Sequence, residues 1–291
     1  MLKGIIVKGI GGFYYVKTED NIIECRARGV FREENLTPLI GDKVRIRISD
    51  EDNTGYIEEI YPRNSQLLRP PVANITQAII VMSIKKPDIN TWLLDRFLLM
   101  AEYEKLKVTI CLNKSDLDLD KASRLKNIYE TAGYKVIMTS TINHIGIEEL
   151  KDTLNSNISV FAGPSGAGKS SLLNGVNKNF KLQTGDVSSK TKRGKHTTRH
   201  VELLELDNNT FVLDSPGFSS LNVDFIEEES ELREYFREIK KYGEKCRFIS
   251  CLHGNEPDCE VKNQVEKGNI SKERYENYLL FLEEIKNIRR Y

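Results

Sequence analysis

The sequence predicts a chain of three parts: an N-terminal β-barrel of the OB-fold type, a central α/β domain built around a phosphate loop, and a C-terminal helical domain that binds zinc. Three stretches carry this prediction. Residues 1 to about 68 are short alternating apolar and polar runs broken by turn residues. Gly163-Pro164-Ser165-Gly166-Ala167-Gly168-Lys169-Ser170 fits the phosphate-binding pattern G-x-x-x-x-G-K-[ST] at every constrained position. Cys246, Cys251, His253 and Cys259 bring three thiols and an imidazole into fourteen residues. The expected boundaries are 1–68, 69–222 and 223–291.

Composition narrows the class before any motif is used. A chain of 291 residues, 39% hydrophobic and 30% charged, has room for two or three globular domains. Its 43 basic and 43 acidic residues cancel, so a nucleic-acid contact must come from a local patch rather than a global basic field. Residues 1–8 lack the apolar core of a signal peptide, and no run approaches a membrane span. A cytoplasmic location without a membrane partner is expected. There the five cysteines stay reduced, and a cluster among them points to metal before disulfide.

In the first part, Ile5-Ile6-Val7 and Phe13-Tyr14-Tyr15-Val16 flank Gly9, Gly11 and Gly12. Strands over 22–28, 43–48 and 56–60 follow, with Gly41-Asp42 and Asn53-Thr54-Gly55 as turns before the last two. Five short strands in about 65 residues fit a small closed barrel. Residues two apart in a strand share a face, so Arg26 with Arg28, and Lys43 with Arg45 and Arg47, form basic stripes. These mark either an RNA-binding face or a solvated barrel exterior. Acids such as Glu33, Glu34 and Asp50 keep the domain from being basic overall.

Pro62, Pro70 and Pro71 mark a linker, after which strands alternate with helices. Residues 77–82 form an apolar strand. Asp88 or Asn90 caps a helix whose apolar positions Leu93, Leu94, Phe97, Leu98 and Ala101 follow the helical period. The strand over 107–112 runs into Asn113-Lys114-Ser115-Asp116, which fits the guanine-reading pattern N-K-x-D. A carboxylate at Asp116 accepts from both the guanine N1–H and the exocyclic amine, a pair adenine does not offer. Asn113 would brace the phosphate loop and Lys114 would pack over the ring; the alternative is that Asp116 only caps the next helix. A strand over 135–138 leads to Ser140, Thr141 and Gly146, a loose match to a second base-contacting loop with Thr141 in place of Ala.

The phosphate loop lies between an apolar strand ending at Ala162 and a helix beginning near Ser171. Backbone N–H groups from Gly163 to Ser171 and the helix dipole face the phosphates, Lys169 reaches the β- and γ-phosphates, and Ser170 sits on Mg²⁺. The bland alternative is an ordinary glycine-rich turn. Residues 185–200 are polar and rich in Ser, Thr, Lys and Arg, a length that marks function or disorder. Gly194-Lys195-His196-Thr197-Thr198 reads as a first switch, with Thr197 or Thr198 closing on Mg²⁺, or else as a basic linker. A hairpin over 201–213 ends in Asp214-Ser215-Pro216-Gly217, the D-x-x-G pattern, with Asp214 on Mg²⁺ and the Gly217 N–H on the γ-phosphate. Phe218 follows, where many GTPases place a water-orienting Gln. Unaided hydrolysis should be slow, and His196, next to Thr197, is the candidate internal group.

The base-reading motifs precede the phosphate loop, switch and D-x-x-G, the reverse of the usual order. The same elements build the same sheet if the usual termini are joined and new ones opened after the second switch, which makes the domain a circularly permuted P-loop GTPase. The C-terminal part then continues directly from that switch. A helix is expected over 226–242, with Leu232, Tyr235, Phe236 and Ile239 on one face, and another over 272–290. Between them Cys246, Cys251, His253 and Cys259 read as a closed, structural zinc site, with a disulfide and a spare thiol as the alternative. Cys25 and Cys111 fall in strands and read as buried.

On the permuted order, Phe218, the G-K-H-T-T switch at 194–198 and the C-x4-C-x-H-x5-C site, the whole chain resembles the bacterial small-subunit-dependent GTPase A family of circularly permuted GTPases. The resemblance implies an OB-fold, a permuted GTPase domain and a zinc domain. It also implies GTP and GDP as ligands, one structural zinc, and Mg²⁺ held with GTP by Ser170, Thr198 and Asp214. Catalysis would rest on Lys169, Thr197, Thr198 and His196. The implied partners are the small ribosomal subunit and its rRNA, with subunit-stimulated hydrolysis late in subunit maturation, and the chain is expected to be a monomer. A second reading is a nucleotide-gated rRNA-binding module with incidental hydrolysis. Residues 113–116 argue against a third, an ATP-using kinase.

Overall fold

The computed structural model describes residues 1–33, 36–49, 54–68, 71–177, 180, 182, 202–207, 209–214 and 222–288, the side chains of residues 32, 33, 68 and 214 excepted. Alternating apolar residues build the N-terminal barrel. In β1 (Leu2–Ile10), β2 (Phe13–Lys17) and β3 (Ile22–Ala27), Ile6, Val16 and Cys25 turn to a common interior. A one-turn helix, α1 (Val30–Glu33), adds Phe31 to that core. Val44 and Ile46 of β4 (Lys43–Ile48) and Ile57 of β5 (Gly55–Ile60) complete it. β1 pairs antiparallel with both β2 and β4, β2 with β3, and β4 with β5, while β3 and β5 run parallel. The ring therefore closes, and the expected five-stranded barrel is present. Its basic stripes are not bare: Arg28 and Arg47 share Glu58 at 2.6 and 3.0 Å, and Arg45 meets Glu59 at 2.9 Å.

The segment that the prolines mark as a linker is itself folded. β6 (Gln66–Leu68) and β7 (Pro71–Ala73) form a two-stranded ribbon. Pro71 is tolerated because it opens its strand, where a missing N–H costs least. Buried Asp42 takes two hydrogen bonds from Arg63, at 2.7 and 2.8 Å, and Asn74 donates to the Gly41 carbonyl at 2.9 Å. Pro70 lies outside the described residues.

The chain continues through β8 (Gln77–Ser83), α2 (Thr91–Tyr103), β9 (Lys107–Asn113), α3 (Leu119–Thr131), β10 (Lys135–Thr139), α4 (Ile147–Leu154), β11 (Ile158–Ala162) and α5 (Lys169–Val176). After these come β12 (Glu202–Asp207), β13 (Thr210–Asp214), α6 (Arg237–Gly243), α7 (Glu260–Glu266) and α8 (Lys272–Ile288). Contacts divide the described residues into two units. The first draws on 1–78, 151–161 and 187–219, the second on 79–150, 162–186 and 220–291. Within the first, β11 runs parallel to β13, β13 pairs antiparallel with β12, and β12 pairs antiparallel with β1. Within the second, β8 lies beside β9 and β9 runs parallel to β10. β8 is buried along its whole length, the pattern of a strand covered on both faces. Of the two candidate caps for α2, Asn90 is used: its side chain accepts from the Leu93 N–H at 3.0 Å.

The helix expected over 226–242 is two pieces, a correction to the sequence reading. Residues Glu229–Tyr235 wind as a 3₁₀ helix, Phe236 is extended, and α6 starts at Arg237. Phe236 leaves the helical path to pack edge-to-face on Tyr278 of α8, ring centroids 5.3 Å apart, and tertiary packing outweighs the local period. Leu232, Phe236, Ile239, Cys251, Cys259, Val261, Tyr278, Phe281 and Ile285 then share one core. Among the described residues no helix is long and apolar enough to cross a membrane.

Candidate nucleotide site and metal centre

The phosphate loop is shaped by two close approaches that only glycine permits. Gly163 has φ 139°, and a Cβ there would lie 2.1 Å from the Val81 carbonyl oxygen of β8. Gly168, at φ 95°, caps the start of α5, and its Cβ would meet Asn113 Nδ2 at 2.2 Å. Asn113 is buried at the end of β9. Its Nδ2 donates to the Ala167 carbonyl at 2.8 Å and its Oδ1 accepts from Thr139 Oγ1 at 3.2 Å. The N-K-x-D segment and the glycine-rich loop are thus tied by one side chain. A bare glycine-rich turn would need no such brace.

Lys169 opens α5, where the helix dipole favours an anion. Its Nζ donates to the carbonyls of Gly163 and Pro164, at 2.7 and 2.9 Å, and burial lowers its pKa. A partly desolvated ammonium that donates to neutral carbonyl oxygens is a favourable seat for a phosphate. Ser170 and Ser171 occupy the same first turn and are half-buried, while Ser165 and Gly166 are exposed at the loop's rim.

Lys114, at φ 55°, sends Nζ to the Gly166 carbonyl at 2.9 Å and to the Lys86 carbonyl. Ser115 is buried and donates to the Thr139 carbonyl at 3.1 Å, which fixes the motif against β10. Asp116 does not cap α3. That role belongs to Asp118, whose carboxylate accepts from the Lys121 N–H at 3.0 Å, and Asp116 stays half-buried and free of it. In the second base loop, Ser140 and Ile145 exchange both backbone hydrogen bonds at 3.0 Å, and Ser140 Oγ accepts from the Asn143 N–H at 3.2 Å. Ser140 therefore holds the loop closed, and half-buried Thr141 follows it. The sequence reading missed the part played by Lys86 and Pro87, whose ring stands beside Gly166. No motif marks them; a lone proline between strand and helix is the one local signal.

Asp214 ends β13, and its side chain lies outside the described residues, as do His196, Thr197, Thr198, Gly217 and Phe218.

Cys246, Cys251, His253 and Cys259 present ligand atoms that all lie within 4.8 Å of one another. All three thiols are free, so the disulfide alternative is not what the fold contains. His253 Nδ1 stands 3.5 Å from both the Cys246 and Cys259 sulfurs, which are 3.9 Å apart. A tetrahedral ion bound to sulfur at about 2.3 Å and nitrogen at about 2.0–2.1 Å sets those separations at roughly 3.6 and 3.8 Å. The geometry fits. Burial pushes the His253 imidazole down to about 4, which keeps it in the neutral form a metal needs. Burial, and then the neighbouring thiol groups, push Cys251 up to about 12, a cost that a dication at the centre reverses. From α8, Tyr275 donates to the His253 carbonyl at 2.6 Å and Tyr278 to that of Leu252 at 3.1 Å.

A glycine-rich loop between strand and helix, braced by the asparagine of an N-K-x-D segment that precedes it in the chain, is the arrangement of a circularly permuted P-loop GTPase. Comparison with known proteins agrees. A family model described as RsgA GTPase matches residues 60–224, and one described as the RsgA N-terminal domain matches residues 3–57. The chain belongs to the RsgA GTPase family. A relative from Alkaliphilus metalliredigens is 50% identical over 293 residues, covering 100% of both chains. One from Caldanaerobacter subterraneus subsp. tengcongensis is 52% identical over 286 residues, 98% of this chain and 96% of the relative. Both are named small ribosomal subunit biogenesis GTPase RsgA. The crystal structure of YjeQ from Thermotoga maritima superposes with a TM-score of 0.84 at 38% identity, covering 98% of each chain. That of YloQ, described as a circularly permuted GTPase, gives 0.82 at 38% identity over 99% of this chain and 96% of that one.

Proposed function

We propose that this protein binds GTP, hydrolyses it to GDP and phosphate, and acts on the small ribosomal subunit late in its maturation, with turnover raised by the subunit. The observation that carries the nucleotide reading is Asn113, which ties the base motif to the phosphate loop through Ala167. Asp116 reads the guanine edge, Lys114 packs over the ring, and the Thr141 backbone meets the base while Ser140 closes its loop. Gly163 to Ser171 cradle the phosphates, with Lys169 on the β- and γ-oxygens. Ser170, Asp214 and Thr198 or Thr197 hold Mg²⁺, and the Gly217 N–H meets the γ-phosphate. Cys246, Cys251, His253 and Cys259 hold one structural zinc ion, which leaves no open position for chemistry. The protein works as a cytoplasmic monomer whose barrel contacts rRNA; its relatives are named for biogenesis of the small ribosomal subunit.

Base choice tests the first half of this reading. Asp116→Asn replaces one of two acceptors by a donor, and a mispaired polar group in a binding site costs about 1–3 kcal/mol. Competition binding should show GTP affinity falling about ten- to hundredfold while XTP affinity rises. A variant that keeps the wild-type preference for GTP over XTP would show that Asp116 does not read the base.

A further inference from the structure

We propose that Lys8 and Lys17 of the barrel, with Glu202 and Glu205 of β12, are positioning residues for stimulated GTP hydrolysis. The inference rests on the reading above, in which the small subunit raises turnover. β12 is the strand that receives the chain from the candidate first switch; Glu202 comes two residues after His200. It does not hang free. β1 pairs with it directly, Lys8 opposite Glu202, and the Lys8 ammonium meets the Glu202 carboxylate at 2.9 Å. A second ion pair, Lys17 to Glu205 at 3.0 Å, joins β2 to the same strand.

The register carries the connection one strand further. Across β12 and β13, Glu202 is the direct partner of Asp214, the first residue of D-x-x-G. Lys8, Glu202 and Asp214 thus occupy a single cross-strand row: barrel, switch exit, candidate Mg²⁺ residue. Directly opposed residues are the interacting pairs of a sheet, and a one-residue slip turns every side chain to the other face. Four side chains only a quarter to two-fifths exposed hold this register from the barrel side. A partner that fixes the barrel therefore fixes where β13 delivers Asp214. The β12–β13 backbone pairing persists without the ion pairs, so basal turnover should change little when they are lost; the pairs matter when a bound partner acts through the barrel.

The test uses the full-length protein and purified small subunits at saturation, with binding followed by sedimentation and folding by thermal melting. Glu202→Lys with Glu205→Lys should bind GTP and subunits as the wild type does and keep basal turnover, yet lose about tenfold of the stimulated rate. Lys8→Glu with Lys17→Glu should show the same loss, and combining all four changes should restore most of it. Glu202→Gln with Glu205→Gln gives a neutral version should the reversed charges prevent folding, with the same loss expected. Wild-type stimulation in the glutamate variants, or a fourfold swap no better than the lysine variants, overturns the proposal. A wild-type protein that subunits do not stimulate would instead overturn the functional reading beneath it.

Discussion

Removing the ion from the Cys246, Cys251, His253 and Cys259 centre is expected to unfold the surrounding helical region. The stretch between α6 and α7 contains no regular helix or strand, and Cys251 and Cys259 belong to the same buried core as Phe236, Tyr278 and Phe281. Structural zinc contributes about 10–16 kcal/mol at neutral pH, as much as the whole stability of an ordinary domain, about 5–15 kcal/mol. Chelation, or Cys251→Ser, should lower helical circular dichroism and expose Tyr275 and Tyr278, whose hydroxyls now hold the loop backbone. Guanine nucleotide binding should persist, because the residues proposed for it lie at the end of β9, in the turn that follows it, and on the loop into α5. Elemental analysis should find about one zinc per chain. Protein purified without chelators that contains no zinc, or melts alike with and without chelator, contradicts the assignment.

The second large effect lies in a buried charge cluster that no motif announces. Arg274 of α8 donates to Asp95 of α2 and, through Nε and Nη2, to Glu238 of α6 at 2.7 and 3.0 Å. All three are buried, and Asn277 and Tyr129 donate to the remaining lone pairs of Asp95 at 2.6 and 2.9 Å. Arg274→Met keeps much of the volume and strands two carboxylates away from water. Removing one partner from such a group costs about 3–5 kcal/mol. The loss should depend on pH. Burial already raises the Asp95 carboxyl pKa, and without the guanidinium it rises further. The folded variant then binds more protons than the unfolded chain, so its stability falls as pH rises, and the deficit is larger at pH 7 than at pH 5. Urea unfolding at the two pH values measures both. A variant within about 1 kcal/mol of wild type at pH 7 would contradict this account.

How much of this was legible beforehand depended on where the controlling interaction lay. N-K-x-D, the phosphate loop and the Cys₃His spacing are local demands on chemistry, and residues 113–116, 163–170 and 246–259 each state theirs within one short stretch. The barrel was legible because alternation in β1 to β5 reports which face is buried. What escaped reading was decided by residues distant in sequence. Pro71 reads as a breaker until its strand is seen at the end of a ribbon clamped by Asp42 and Arg63. Phe236 reads as one more position on a helix until Tyr278 draws it out. Asp95, Glu238 and Arg274 belong to no motif and lie far apart in the chain; only their meeting makes them a buried cluster. The same holds for Lys86, whose backbone alone reaches Lys114.

The central claim is that this chain is a GTPase completed by the small ribosomal subunit, and turnover with and without purified subunits tests it most directly. Phe218 follows the D-x-x-G glycine and carries no group that orients water. GTPases without a complete site turn over at roughly 10⁻⁴ to 10⁻² per second, and completion in trans adds about 10³- to 10⁵-fold. Slow release of phosphate from GTP by the protein alone, rising by at least about 10³-fold with saturating subunits, is the predicted result. Fast turnover without subunits, or a rate that subunits leave unchanged, would contradict it.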